Sequence, residues 1–262
     1  MSPPFRKKDR KDFMGLMRQD TFICLDCEST GLEPTKDRLI EVAVARFNFD
    51  QILEKYETLV NPECEIPQVS QDIHKISIEM LQGKPKVAEI LPQVLKMIKG
   101  HIIVGHGIGF DIALIAAEAK RYQIPTDIEK QPFIDTLRMA RLYGESPVNS
   151  LERLRQHFNI AAEGAHRAMN DVVVNIEVFK FLSKTYKTTE QLLKTLEKPI
   201  KLRQMPLGKH KGRKFDEIPL EYLQWAERKD FDQDLLFSIR SELRNRKKGS
   251  SFEQSGNPFS NL

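Results

Sequence analysis

The 262-residue chain has only three cysteines and a single tryptophan. It has no apolar run near the roughly 18–20 residues needed to cross a bilayer, so no membrane association is expected. A small, odd number of cysteines argues against a disulfide framework and suits a reducing compartment. Cys24 and Cys27 form a C-x-x-C, yet residues three apart on a strand face opposite sides, and no second cysteine pair completes a zinc site. The first twenty residues are basic but lack the apolar core of a secretory leader, so a cytoplasmic protein is expected. No internal repeat is visible. With 40% hydrophobic and 30% charged residues, the composition is that of a globular chain with room for one large and one small domain.

Charge is unevenly distributed. Residues 20–186 hold 19 basic and 24 acidic residues, a net of −5. Residues 1–19 hold six against two, and residues 200–248 thirteen against eight, giving +4 and +5. An acidic centre flanked by basic segments fits an enzyme that gathers cations centrally and holds a polyanion from its flanks. Solvated terminal tails would give the same pattern.

Hydrophobic patterning predicts strands at 21–26, 38–47 and 52–60, the last two joined by a short turn as an antiparallel hairpin. Helical spacing follows over 87–98, where Pro92 is expected in the first turn of a late-starting helix. Short strands are predicted at 101–104 and 132–135, and helices at about 110–122, 135–142, 150–157 and 165–185. Meander strands followed by alternating strands and helices indicate an α/β fold, a mixed five-stranded sheet flanked by helices. The expected organisation is a basic tail over 1–19, a main domain over 20–186 and a linker helix over 187–199. A small basic α+β module over 200–247 and a disordered tail over 248–262 complete it.

The chemistry is carried by acids. Asp26 and Glu28 close the apolar run Thr21-Phe22-Ile23-Cys24-Leu25 in LDCESTGL. Positions i and i+2 of a strand share a face, so the two carboxylates converge near the strand's end. They repel one another unless cations intervene, and hard oxygen ligands suit Mg²⁺ or Mn²⁺. Asp111 follows a strand and a glycine-rich turn in GHGIGFD, where it can join the pair or cap its helix. His166 and Asp171 lie in AHRAMND, five apart, and share a face only if His166 precedes the regular helix. The pattern points to metal-assisted phosphodiester hydrolysis.

D-x-E-S/T-T-G, H-x-x-x-F-D and A-H-x-x-x-x-D, in this order, resemble the three motifs of the DEDDh 3′–5′ exonucleases. Ile73-His74-Lys75-Ile76-Ser77, Ile134-Asp135-Thr136-Leu137 and Asn149-Ser150-Leu151-Glu152-Arg153-Leu154 extend the match, which covers residues 20–186. The family's asparagine after the histidine of the second motif is replaced by Gly107. The resemblance implies an RNase H-like fold and two-metal-ion catalysis with two Mg²⁺ (or Mn²⁺). It places Asp26, Glu28 and Asp171 on one ion, Asp26 also on the second, Asp111 directly or through water, and His166 as general base. It implies a terminal-nucleotide pocket lined by Thr30, Gly31, Leu32, His106 and Phe110, and release of 5′-mononucleotides from a 3′ end.

Residues 205–225 resemble the short module appended to exonuclease X. Two glycines around Lys-His-Lys predict a tight hairpin backed by a helix carrying Tyr222, Leu223 and Trp225. Lys209, Lys211, Arg213 and Lys214 then form a basic loop for accessory nucleic-acid contact, or the module serves packing alone. The expected partner is DNA at single-stranded or frayed 3′ ends, in repair or replication proofreading, with a DNA polymerase a further candidate. RNA trimming by the same fold stays open because no residue decides 2′-hydroxyl tolerance. A non-catalytic accessory protein is opposed by the intact five-residue set.

Overall fold

The computed structural model describes residues 17–144, 149–161 and 167–255. The chain divides after Leu196 into two compact units.

In the first unit, five strands form one sheet: β1 (Phe22–Ser29), β2 (Leu39–Phe47), β3 (Ile52–Leu59), β4 (Ile102–Gly105) and β5 (Phe133–Asp135). Their order is β3-β2-β1-β4-β5; β1, β2 and β3 pair antiparallel, while β4 and β5 join in parallel. This is the expected mixed sheet. Alternation along β1 sends Phe22 and Cys24 to one face and Ile23, Leu25 and Cys27 to the other. The two cysteines of the C-x-x-C therefore diverge into separate cores, and all three cysteines are free.

On the Phe22 face lies α7 (Ala168–Leu182), preceded in the chain by α5 (Thr136–Tyr143) and α6 (Leu151–His157). Its Val172, Ile176 and Phe179 enter the core with Phe22, Ala43, Ala45 and Phe47. Phe179 stands 5.0 Å from Phe22 and 5.8 Å from Phe47, both edge-to-face, and 5.7 Å from Phe49. On the other face pack α3 (Val87–Ile98) and α4 (Gly109–Arg121). Two short helices not expected from the sequence, α1 (Gln68–His74) and α2 (Ile78–Leu81), precede α3.

Two expectations are corrected. Pro92 lies inside α3, not in its first turn. Burial of Val87, Ile90, Leu91, Val94 and Ile98 along one face outweighs the hydrogen bond that a proline cannot donate. The helix read as a linker, α8 (Thr189–Leu196), buries Leu192 and Leu196 in the core of the first unit. The final helix is α10 (Gln233–Ser255).

The second unit has its own core of Met205, Phe215, Ile218, Leu223, Ala226, Leu235, Ile239 and Leu243, between α9 (Leu220–Ala226) and α10. In place of a regular β-ribbon, the Gly208–Gly212 region forms one turn of 3₁₀ helix and a single antiparallel bridge between Gln204 and Lys214. Gly208 and Gly212 both adopt positive φ, at 71° and 83°, as the tight turn requires. No described helix is long and apolar enough to cross a membrane.

The aromatic cluster should dominate the stability of the first unit. Phe179→Ala should cost about 3–5 kcal/mol, read as a lowered urea midpoint with unchanged slope. A loss below about 1 kcal/mol would mean that the site can collapse around the gap.

Candidate active site

The acidic residues meet where β1 leaves the sheet. Asp26 and Glu28 lie on the same face of β1, as their spacing requires, and Asp171 reaches them from the first turn of α7. One carboxylate oxygen from each of Asp26, Glu28 and Asp171 lies within 4.8 Å of the other two. Ala43, the register partner of Asp26, leaves room beside it, and the register shifts just after Glu28. Such an irregularity turns the end of the strand.

Asp111 arrives from the other side of the sheet. It sits in the first turn of α4, and its Oδ1 accepts a hydrogen bond from the backbone N–H of Cys27 at 2.8 Å. The pairing of β1 with β4 stops at Cys24–Val104, so this N–H lies beyond the parallel ladder. Asp111 thereby satisfies it and brings a fourth carboxylate beside the residue that separates Asp26 from Glu28. α4 is itself held by Glu118, whose Oε1 receives Arg38 Nε at 3.0 Å, the Leu39 N–H at 3.1 Å and Arg121 Nη1 at 2.8 Å.

Burial and mutual repulsion act on this cluster together. Burial, then the charges of Asp111, Asp171, Glu28 and Glu41, raise the Asp26 carboxyl well above the usual range. Glu28 is raised to about 7 by burial, Asp171 and Glu41, with Arg167 opposing. Asp111 is raised to about 7, chiefly by burial. A set of oxygen donors driven toward protonation is what a hard divalent cation would relieve, so these residues fit a metal site.

Sequence reasoning missed the device that holds α7. Glu41 is the register partner of Glu28 and is almost fully buried, which on its own would add repulsion. Its carboxylate instead receives Arg167 Nε at 3.0 Å and Nη2 at 2.8 Å, and the Ala168 N–H at 3.1 Å. The start of α7 is thus pinned to β2, which fixes the approach of Asp171. The position of Arg167 directly after His166 was the only hint in the sequence. His166 itself lies outside the described residues.

The expected nucleotide-pocket residues divide. Leu32 is 87% exposed and Phe110 is partly buried against the α4 side of the core. Thr30 is buried, and its hydroxyl is engaged with Asp37 and the Arg38 N–H, closing the loop after β1. Gly31 lies close beside it: a Cβ there would sit 2.6 Å from the Asp37 carboxylate oxygens and displace them. His106 Nε2 donates to the Asn149 carbonyl at 2.8 Å, and Nδ1 lies 3.0 Å from Thr136 Oγ1. Burial lowers its pKa to about 4, so it is a neutral brace whose ring nitrogens are both engaged within the protein. Thr30 and His106 therefore shape the site, with their polar groups directed into the fold.

Gly107 has φ of 73° and donates its N–H to Asp135 Oδ1 at 2.9 Å. Asparagine is among the side-chain-bearing residues that best tolerate this left-handed conformation, so exchanging the family's Asn for Gly keeps the turn. Asp135 also caps α5 through the Leu137 N–H at 2.9 Å.

A family model described as "Exonuclease" matches residues 23–179, which is more than half of the chain. The chain belongs to this family, in its DEDDh 3′–5′ branch. DNA polymerase III subunit epsilon of Aquifex aeolicus is 32% identical over 160 residues, 61% of this exonuclease-family chain and 78% of that subunit. A PolC-type DNA polymerase III of Thermotoga petrophila is 35% identical over 159 residues, 61% of this chain but only 12% of that polymerase. Exonuclease X, solved in complex with 5′ overhanging duplex DNA, superposes with a TM-score of 0.53 at 20% identity, covering 68% of this chain and 99% of that one. The likeness confirms the RNase H-like fold. Residues 190–238 separately match a model of candidate quorum-sensing-regulated virulence factors, a description that names no chemistry.

With pKa values raised to about 7 at Glu28 and Asp111, the metal-free native state binds more protons than the unfolded chain between about pH 4 and 7. Stability contributed by the protonated forms is therefore lost as pH rises through that window. In chelator the melting temperature should fall between about pH 4 and 7, and a divalent cation should raise it more at the higher pH. A flat profile in chelator would remove the carboxylate clash from this account.

Proposed function

We propose that the chain is a 3′–5′ exodeoxyribonuclease that removes 5′-mononucleotides from DNA 3′ ends in replication proofreading or repair. The observation that carries this reading is the convergence of Asp26, Glu28 and Asp171 within 4.8 Å, with Asp111 tied to the intervening backbone. In this reading Asp26, Glu28, Asp111 and Asp171 hold two divalent cations, Mg²⁺ or Mn²⁺. Bound there, such ions supply Lewis acidity to the scissile phosphate and its attacking and leaving oxygens.

The chain's own residues do the rest. His166 takes the proton from the attacking water; an ordinary imidazole pKa of about 6.5 suits that work near neutrality. Arg167 and the Ala168 N–H are anchored by Glu41, which holds the start of α7 at the acidic cluster. Leu32 presents an exposed apolar surface to the terminal base beside Gly31, and Phe110 lies on the Asp111 side. DNA is favoured over RNA as substrate because the aligned relatives are DNA polymerase III proteins and the superposed exonuclease X holds DNA.

Asp26→Ala should leave the fold intact and reduce hydrolysis of 3′-labelled DNA to at most a few per cent, since removing one carboxylate relieves repulsion while dismantling the cation site. An active Asp26→Ala protein would sink the metal reading. His166→Ala should lower turnover by about 10²–10⁴-fold with cation binding nearly unchanged. Normal turnover of that variant near pH 7 would deny His166 the proton-transfer role. Faster cleavage of RNA than of DNA of the same sequence would reassign the substrate.

A further inference from the structure

The second unit carries a surface that its own packing does not use. Its core is closed by Leu223 and Ala226 on the inner side of α9. On the outer side Trp225 remains 49% exposed, and its ring centroid lies 5.2 Å from that of Tyr222. The basic turn is built directly against these rings. His210 packs edge-on to Tyr222 at 4.4 Å, and a Cβ at Gly208 would sit 2.9 Å from the Tyr222 hydroxyl. Lys209 Nζ lies 5.2 Å from the Tyr222 centroid, and Lys229 Nζ lies 4.8 Å from that of Trp225. A shallow concavity beside Trp225 is lined by Glu221, Gln224, Arg228 and Lys229.

Two adjacent rings thus each carry a cation, with Lys211, Arg213 and Lys214 exposed on the adjoining turn. Residues 200–248 carry a net +5, which complements a polyanion. Of the acids nearby, Glu227 is paired with Arg240 and Glu217 folds back on the Lys214 N–H, while Glu221 lies at the concavity and Asp216 and Asp230 are exposed. A ligand that matches both ring faces and cations is a flexible anionic chain bearing flat groups.

We propose that Trp225 and Tyr222, with Lys209, Arg228 and Lys229, form a binding surface for single-stranded nucleic acid. Bases stack on the two rings while Lys209 and Lys229, released from the ring faces, and Arg228 beside them meet phosphates. This assigns sequence-independent holding to the second unit, because every base has a face to stack and every linkage a charge. The assignment does not rest on the nuclease reading.

The chain's only tryptophan is Trp225, so its emission reports on this surface alone. The full chain is titrated in chelator, where hydrolysis plays no part, with a labelled thymidine 15-mer and with a 15-mer of abasic linkages. The thymidine strand should quench the emission at saturation, and the abasic strand should bind more weakly without quenching. Trp225→Ala should weaken thymidine binding by about tenfold or more, the loss expected for one stacked base, whereas Trp225→Phe should retain most of it. Lys209→Ala with Lys229→Ala should flatten the slope of log K against log salt by about 0.7 for each phosphate no longer neutralised. Unchanged emission at saturating oligonucleotide overturns the proposal. So does equal quenching by the abasic strand or by an oligoglutamate peptide, which would mark a general acidic-polymer surface. A Trp225→Phe variant as weak as Trp225→Ala would exclude stacking. Because every measurement is made without catalysis, loss of hydrolysis in Asp26→Ala and loss of quenching fail independently.

Discussion

Repulsion among buried carboxylates is the constraint around which the first unit is arranged. Four acids from three elements approach one point, and a fifth, Glu41, lies across the strand register from one of them. Nothing in such a cluster favours its own assembly, so the fold must impose it. The imposition is visible on both sides of the sheet. A packed aromatic core holds α7 over one face, and a buried Glu118 with two arginines holds α4 on the other. Charges that oppose assembly are thereby placed by apolar burial and by ion pairs a few residues away.

The two short tethers have different logic. Asp111 satisfies a backbone N–H left over where two parallel strands part, so its position follows from the sheet's own geometry. Glu41 works by exchanging one problem for another: a buried anion facing Glu28 becomes acceptable because Arg167 and the first amide of α7 neutralise it. Helix N-termini favour negative charge, so the same carboxylate also suits the dipole of α7.

Much of this was legible in the chain. The sheet followed from apolar runs and alternation, and the convergence of Asp26 and Glu28 followed from the two-residue period of a strand. The placement of Pro92 was misread because local propensity says nothing of how well a helix face is buried. The helix at 189–196 was misread as a connector because Leu192 and Leu196 give no sign of which core receives them. His106 looked like a pocket residue until both of its ring nitrogens were found engaged across sequence separations of 30 and 43 residues. Pairings of that kind, like Glu41 with Arg167, are invisible to any short window.

The sheet also ends in two dissimilar edges. β5 is three residues long and passes at once into α5, so it presents little ladder to another chain. β3 is a full eight residues, and its exposed run is Leu53, Glu54, Lys55. An open edge of that length is a template for intermolecular pairing unless charge makes the approach of a second strand costly. The mixed charges of Glu54, Lys55 and Glu57 along β3 raise that cost, so the long edge is guarded by charge where the short one is guarded by its length.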